Sequence, residues 1–145
     1  MSTGFVIEVL GTPAAKGSPH ARVQNGHVVM HEGTKTKGWE RAVREAAIAA
    51  IGTPGVPPFV DVALRVAVTF RLVRPGGHWG KKGLKPSAPA YPHKKPDVDK
   101  LLRATLDPLI GAVMDDDSRI VYVTANKVYA DPGNEGATIH VERAS

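Results

Sequence analysis

Aspartates are concentrated in one stretch of the chain, at a spacing that could hold a metal ion. Asp97 and Asp99 form a D-x-D pair directly after Pro96, and three consecutive aspartates follow at 115–117. If the two groups meet in the fold, at least three carboxylates converge. Like charges within about 4 to 6 Å raise one another's pKa unless a cation lies between them. Because the ligands are hard oxygens and the chain has no cysteine, we expect Mg²⁺, or Mn²⁺, rather than zinc.

A metal ion in this position, beside a basic segment, suits phosphodiester hydrolysis. The ion lowers the pKa of a bound water and neutralises charge that develops on the phosphate. Residues 71–96, just before the D-x-D pair, include no acid, and the whole chain has a formal charge of +5. We therefore expect basic side chains to hold a nucleic-acid backbone. The predicted contacts are Lys16, Arg74, Lys81, Lys82, Lys85, Lys94, Lys95 and Lys100.

Each of these features also has an ordinary structural explanation. An aspartate such as Asp97 that follows a proline is most often a helix N-cap, and three aspartates between elements often form a solvated turn. Asp107 is equally well a surface charge or a residue that supports the site from behind. His78 and His93 could ligate metal, although lone histidines in loops usually do not. The combined spacing of the acids, rather than any one of them, favours the metal site.

The D-x-D pair constrains the helix that follows it. Pro96 disfavours helical backbone at Lys95, so the helix begins at or after Asp97. Two aspartates at i and i+2 inside a helix point to different faces. They can therefore share an ion only if Asp97 lies at or before the N-cap. The same helix is expected to bury one face and to stop at Gly111; that face comprises Val98, Leu101, Leu102, Thr105 and Leu109.

The remaining elements predict one mixed α/β domain spanning residues 1–145. Alternation predicts a first strand over 4–10, a long strand over 60–72 and two closing strands, and Asn25-Gly26 predicts a hairpin. A helix is predicted over 34–51 because apolar residues recur on one face: Trp39, Ala42, Val43, Ala46, Ala47 and Ala50. The stretch 74–92 is too rich in Gly and Pro for regular structure. We expect an α+β fold with a largely antiparallel sheet and two main helices.

Several classes of protein are excluded by composition. With 145 residues a second independent domain is not expected. The absence of cysteine excludes disulfide scaffolds and thiolate nucleophiles. No apolar run approaches the roughly 20 residues that span a bilayer, and the first residues lack a signal-peptide pattern. The expectation is a soluble cytoplasmic protein with neither a membrane nor a small molecule as its partner.

The segment PDVDKLLRATLDPLIGAVMDDDSRI resembles the signature of the RusA family of Holliday junction resolvases. The flanking GTPAAKG, GWERAVREA and YVTANKVYA also resemble family members encoded by phages and prophages. The resemblance implies a homodimer that resolves four-way DNA junctions by symmetric paired nicks, in recombination and repair. It implies Mg²⁺-dependent catalysis, with carboxylate ligands at Asp97, Asp99 and Asp117.

The sequence departs from this signature in ways that leave alternatives open. Lys100 stands where the family usually has Asn, and Arg103 stands where it usually has a catalytic Lys. Arg103 can stabilise phosphate charge but cannot readily donate a proton. Three successive aspartates leave the register open, so Asp116 is the alternative to Asp117. A non-catalytic protein that binds branched DNA is the second hypothesis. An aspartyl phosphatase is disfavoured, because KKP rather than an apolar strand precedes Asp97.

Overall fold

The computed structural model describes residues 4–16, 20–24, 26–31 and 33–145. In this part of the chain the two main helices and eight strands are, in order, β1 Gly4–Leu10, β2 His20–Gln24, β3 His27–His31, α1 Thr34–Ile51, β4 Leu64–Leu72, β5 Trp79–Gly80, β6 Gly83–Leu84, α2 Val98–Leu106, β7 Ile120–Tyr129 and β8 Gly136–Arg143. The main sheet has four strands in the order β1, β8, β4, β7. The predicted α+β class is confirmed.

The sheet is mixed, and its one parallel pair determines where the candidate chemistry lies. β8 is antiparallel to both β1 and β4, whereas β4 and β7 are parallel. Parallel neighbours cannot be joined by a tight turn and need a long crossover. Here the crossover comprises the basic segment, α2 and the three aspartates. Both groups predicted to carry the chemistry therefore belong to one connection.

The alternation predicted for β4 is confirmed, but the strand begins later than expected. Leu64, Val66, Val68, Phe70 and Leu72 are all buried against the helices. The predicted start at Val60 is wrong: its side chain is 57% exposed. Asp61 has a φ of 52°, which is left-handed backbone that a strand cannot continue through. The ordered alternation therefore starts only at Leu64.

Helix α1 packs on the sheet through the face that was predicted. Trp39, Val43 and Ala47 are buried in the core, whereas Ala50 is exposed. The helix ends at Gly52, whose left-handed φ of 83° allows its N–H to bond to Ile48 O at 2.8 Å. This is the usual role of glycine after a helix.

Helix α2 begins just after Asp97, as the position of Pro96 predicted, but it ends at Leu106, before the predicted end at Gly111. Leu101, Ala104 and Thr105 are buried; Val98, predicted on the same face, is 37% exposed. After Leu106 the chain continues as a 3₁₀ turn, Asp107–Leu109. Pro108 lacks the N–H that an α-helix needs at this point, which explains the change.

A buried hydrogen bond joins the two helices. The indole Nε1 of Trp39 donates to Thr105 Oγ1 at 3.0 Å, and the Thr105 hydroxyl donates to Leu101 O at 2.8 Å. Both side chains are in the core, with Trp39 2% exposed and Thr105 fully buried. The pair therefore fixes how α2 lies against α1.

Two hairpins lie outside the main sheet. β2 and β3 pair antiparallel with Gln24 opposite His27, which confirms the predicted tight turn; Asn25 itself is outside the described residues. The stretch 74–92, predicted to be irregular, contains a 3₁₀ turn at Gly76–His78 and the two-residue strands β5 and β6. None of the helices in the described ranges is long and apolar enough to cross a membrane.

Replacing Thr105 by valine tests the bond between the helices. The variant Thr105→Val keeps the side-chain volume but leaves the buried Trp39 N–H without its acceptor. An unsatisfied buried donor costs about 1 to 3 kcal/mol. We expect a loss of that size in the free energy of unfolding, measured by urea denaturation. Thr105→Ser keeps the hydroxyl and is the matched control. An equal loss in both variants would contradict the role assigned to the hydrogen bond.

Candidate active site

Asp97 occupies the N-cap of α2, which is the position that the D-x-D pair requires. Its backbone is extended, with φ −70° and ψ 139°, so Asp97 and Asp99 are not two positions of one regular helix. The ordinary N-cap explanation does not describe its side chain, which makes no capping hydrogen bond. The carboxylate instead lies 3.2 Å from Lys100 Nζ. Asp97, Asp99 and Lys100 are all exposed at the surface.

Lys127 positions the segment that leads into this helix. Its Nζ donates to Lys94 O and to Pro96 O, each at 2.8 Å. Two carbonyls just before Asp97 are thereby attached to β7. The sequence analysis did not identify this residue, and its signal was a single lysine within the otherwise uncharged strand Ile120–Tyr129.

Asp115, the first of the three consecutive aspartates, stabilises the local structure through hydrogen bonds to Arg119 and to the backbone of Asp61. Its carboxylate accepts from Arg119 Nε at 3.0 Å and Nη2 at 2.7 Å, and from Asp61 N at 3.3 Å. The Arg119 hydrogen bonds lower the pKa of Asp115 to about 2. A carboxylate already paired to a guanidinium is poorly placed to ligate a metal ion.

Asp116 and Asp117 are joined by a hydrogen bond, and their pKa values are shifted in opposite directions. Asp116 accepts from Ser118 N at 3.0 Å, and that bond lowers the pKa of Asp116. The pKa of Asp117 is raised, first by its hydrogen bond with Asp116, then by burial and by the charges of Asp116 and Asp107. Crowded like charges have this effect when no cation separates them. Among the three aspartates, these contacts favour Asp117 as the ligand and leave Asp116 as the alternative.

Asp107 contributes to the site more than its sequence context indicated. It follows the last residue of α2, and its carboxylate lies 2.6 Å from Lys16 Nζ. The backbone N–H of Lys16 also donates to Lys100 O at 3.0 Å, so this predicted DNA contact lies along α2. Asp99, Arg103 and Asp107 are each four residues apart, a spacing that places side chains on one helical face.

The predicted ligands are related to both ends of α2. Asp97 is its N-cap, and Asp107, its C-cap, carries one of the charges that raise the pKa of Asp117. Within residues 4–16, 20–24, 26–31 and 33–145, no three His, Asp or Glu side chains converge in a ready-made metal site. Binding of an ion by Asp97, Asp99 and Asp117 together stays a prediction.

The two histidines considered as ligands have other contacts. His78 packs edge-on against Tyr129, with the ring centroids 5.5 Å apart. His93 is exposed. Neither belongs to a metal-binding group in the described part of the chain.

The predicted basic contacts divide into exposed lysines and one structural arginine. Arg74 stacks over Tyr129, 4.1 Å from the ring centroid, and donates to Pro89 O at 2.8 Å. It therefore fixes the long loop rather than projecting freely. Lys16 and Lys100 pair with Asp107 and Asp97. Five further lysines are exposed and make no ion pair with any described residue: Lys81, Lys82, Lys85, Lys94 and Lys95.

Comparison with known proteins identifies a family whose sequence pattern matches this chain. A family model described as "Endodeoxyribonuclease RusA" matches residues 11–142, which include the N-terminal loop, both acidic groups and the basic segment. The chain is also similar to "Uncharacterized protein YqaN" of Bacillus subtilis (strain 168). The two are 29% identical over 124 residues, covering 85% of this chain and 86% of that protein.

Proposed function

The chain belongs to the RusA family of endodeoxyribonucleases, and from this premise we propose that it resolves four-way (Holliday) junctions in DNA. The proposed reaction is a pair of symmetric nicks, dependent on Mg²⁺, with Mn²⁺ as a possible substitute. Such an activity serves DNA recombination and repair, and its substrate places it in the cytoplasm.

The family match over residues 11–142 is the observation that supports this proposal best, and the charges around Asp117 agree with it. Asp107 is already offset by Lys16 at 2.6 Å, and Asp115 by Arg119 at 2.7 Å. The pKa of Asp117 is raised first by its hydrogen bond with Asp116 and by burial, and then by the negative charges of Asp116 and Asp107, which a divalent cation would offset. The local charge thus favours cation binding at the end of α2.

Asp97, Asp99 and Asp117 are the residues that we propose would hold the ion, with Asp116 as the alternative to Asp117. Carboxylates are the oxygen ligands that Mg²⁺ prefers. A bound Mg²⁺ would supply charge neutralisation at the scissile phosphate and a more acidic water.

The basic side chains would bind and orient the DNA. Lys81, Lys82 and Lys85 extend from the β5–β6 hairpin, and Lys94 and Lys95 lie next to the start of α2. Ammonium groups without protein partners are available to pair with phosphates. Arg103 is exposed on the face shared with Asp99 and Asp107, where its permanent charge would stabilise a phosphate without donating a proton.

A cleavage assay with three substrates tests this function. Purified protein is incubated with a labelled four-way junction, a linear duplex and a flap, each with Mg²⁺ and with EDTA. We expect symmetric nicks in the junction alone, and none with EDTA. Metal-independent binding to the junction without any nick would instead support a non-catalytic protein that binds branched DNA. Equal cutting of all three substrates would refute structure selectivity.

Asp117→Asn tests the ligand assignment, because it keeps the size of the side chain and removes its charge. We expect junction cleavage to fall by at least about 100-fold, measured as single-turnover rates, while junction binding persists. Asp131→Asn, in the exposed turn between β7 and β8, removes the same charge away from the site and should cut normally. A larger loss with Asp116→Asn would transfer the assignment to Asp116.

Paired cuts in strands of like polarity call for two active sites related by a two-fold axis, so we propose that the working form is a homodimer. β7 is the last strand of the main sheet, and Val121, Tyr122 and Val123 at its start are each about half exposed. Sedimentation velocity should give twice the 15.4 kDa mass of one chain. A monomer at the concentrations that support cleavage would contradict the dimer.

A further inference from the structure

A cavity of about 960 Å³ opens beside Asp97. It lies between the N-terminal loop 11–16, the first three turns of α1 and the start of α2. Its size is at the upper end of the roughly 300 to 1,000 Å³ of sites that hold small organic groups. The metal and phosphate chemistry considered above involves lining residues such as Asp97 and Lys95, but it leaves the apolar side of the cavity without a role.

One side of the cavity is apolar and rigid. Ala14, Ala15 and Ala42 line it together with Trp39. The Trp39 indole is only 2% exposed and its Nε1 is bonded to Thr105 at 3.0 Å inside the core, so it supports the wall while the half-buried alanines form its accessible surface. A fixed apolar wall of this kind suits an apolar group such as the face of a base.

The rest of the lining is strongly basic. Four lysines contribute to it, with Asp97 as their one acidic neighbour in the lining. Lys16 pairs with Asp107 and Lys100 with Asp97. Lys35 and Lys95 make no ion pair with the residues that the structure describes. The cavity therefore combines an apolar wall with excess positive charge, which matches a base linked to phosphates. Inorganic phosphate would leave the wall uncovered, and an uncharged apolar ligand would leave the lysines unpaired.

We propose that this cavity takes one unpaired nucleotide of the DNA strand that passes Asp97. The base lies against the wall at Ala14 and Ala42, and Lys35 and Lys95 hold the neighbouring phosphates. This inference rests on the proposed nuclease function, to which it adds a binding site for the substrate. Asp97 belongs to both places, so the nucleotide in the cavity is close to the cut.

The cavity also provides a physical basis for selecting branched DNA. A base can enter it only after leaving its stack and its partner. That costs least where the base is already unpaired, as bases at a strand exchange can be. A continuous duplex would have to lose a base pair first, and so would bind less well.

Binding of a thymidine tetranucleotide in EDTA tests the proposal without any cleavage. The tetranucleotide carries a fluorescein label, and we expect a saturable rise in its fluorescence anisotropy as protein is added. Ala42→Phe, which fills the cavity, should weaken binding about tenfold or more. Ala50→Phe, exposed on the same helix and outside the cavity, is the matched control and should bind normally. Inorganic tripolyphosphate, added as a competitor, should bind more weakly and should not respond to Ala42→Phe.

A charge variant keeps the proposal testable if Ala42→Phe fails to fold. Lys35→Ala should weaken tetranucleotide binding severalfold and reduce its salt dependence, by a slope of about 0.7 for one phosphate contact. Lys37→Ala, an exposed lysine two residues away that does not line the cavity, should change neither. Absence of binding, or equal effects of each variant and its control, would overturn the proposal.

The cleavage assay separates this inference from the function it rests on. A chain that cuts junctions but binds the tetranucleotide equally well with and without Ala42→Phe retains the nuclease function and loses the cavity proposal. A chain that binds the tetranucleotide in the cavity but cuts no branched substrate loses the nuclease function alone.

Discussion

The position of α2 depends on the buried hydrogen bond between Trp39 and Thr105, and the candidate site depends on α2. Both partners are in the core, where an unmade bond is costly. With the helix fixed, its N-terminal end presents Asp97 to the cavity, and its C-terminal end presents Asp107 to Lys16 and Asp117. One helix thereby connects the surface proposed to hold DNA with the carboxylates proposed to hold the ion.

The aspartates of the candidate site differ in whether a cationic side chain lies beside them. Asp107 and Asp115 each have a cation of the protein beside them, and these pairs stabilise the local structure. The pKa of Asp117 is instead raised by its hydrogen bond with Asp116, by burial and by the charges of Asp116 and Asp107, which is why it is the ligand proposed above. The lysines without ion pairs lie on the loop that precedes α2 and just before the start of that helix. The aspartates that stabilise the structure, Asp107 and Asp115, are therefore different residues from Asp117, the proposed metal ligand.

Much of the fold could be predicted because its signals are local. The alternation in β4, the apolar face of α1 and the Asn-Gly turn each act through near neighbours, and Pro96 with Asp97 marked the start of α2. The late start of β4 could not be predicted, because it depends on the left-handed backbone of Asp61. In the site, the acids and the basic segment could be found from spacing. The pairing of Lys16 with Asp107, the different roles of the three aspartates, and the cavity all depend on contacts between distant parts of the chain, which leave no periodic pattern in the sequence.

The parallel pairing of β4 with β7 has a consequence for how the molecule folds. Leu64 lies beside Ile120, so this contact closes a loop that includes the whole crossover. Such long-range closure is slow, because chain entropy is lost before the contacts form. α2 and the three aspartates can reach their places only as that loop closes. β1 and β4 pair only with β8 and β7, which follow this crossover in the chain, so the main sheet and the acidic segment are expected to assemble together.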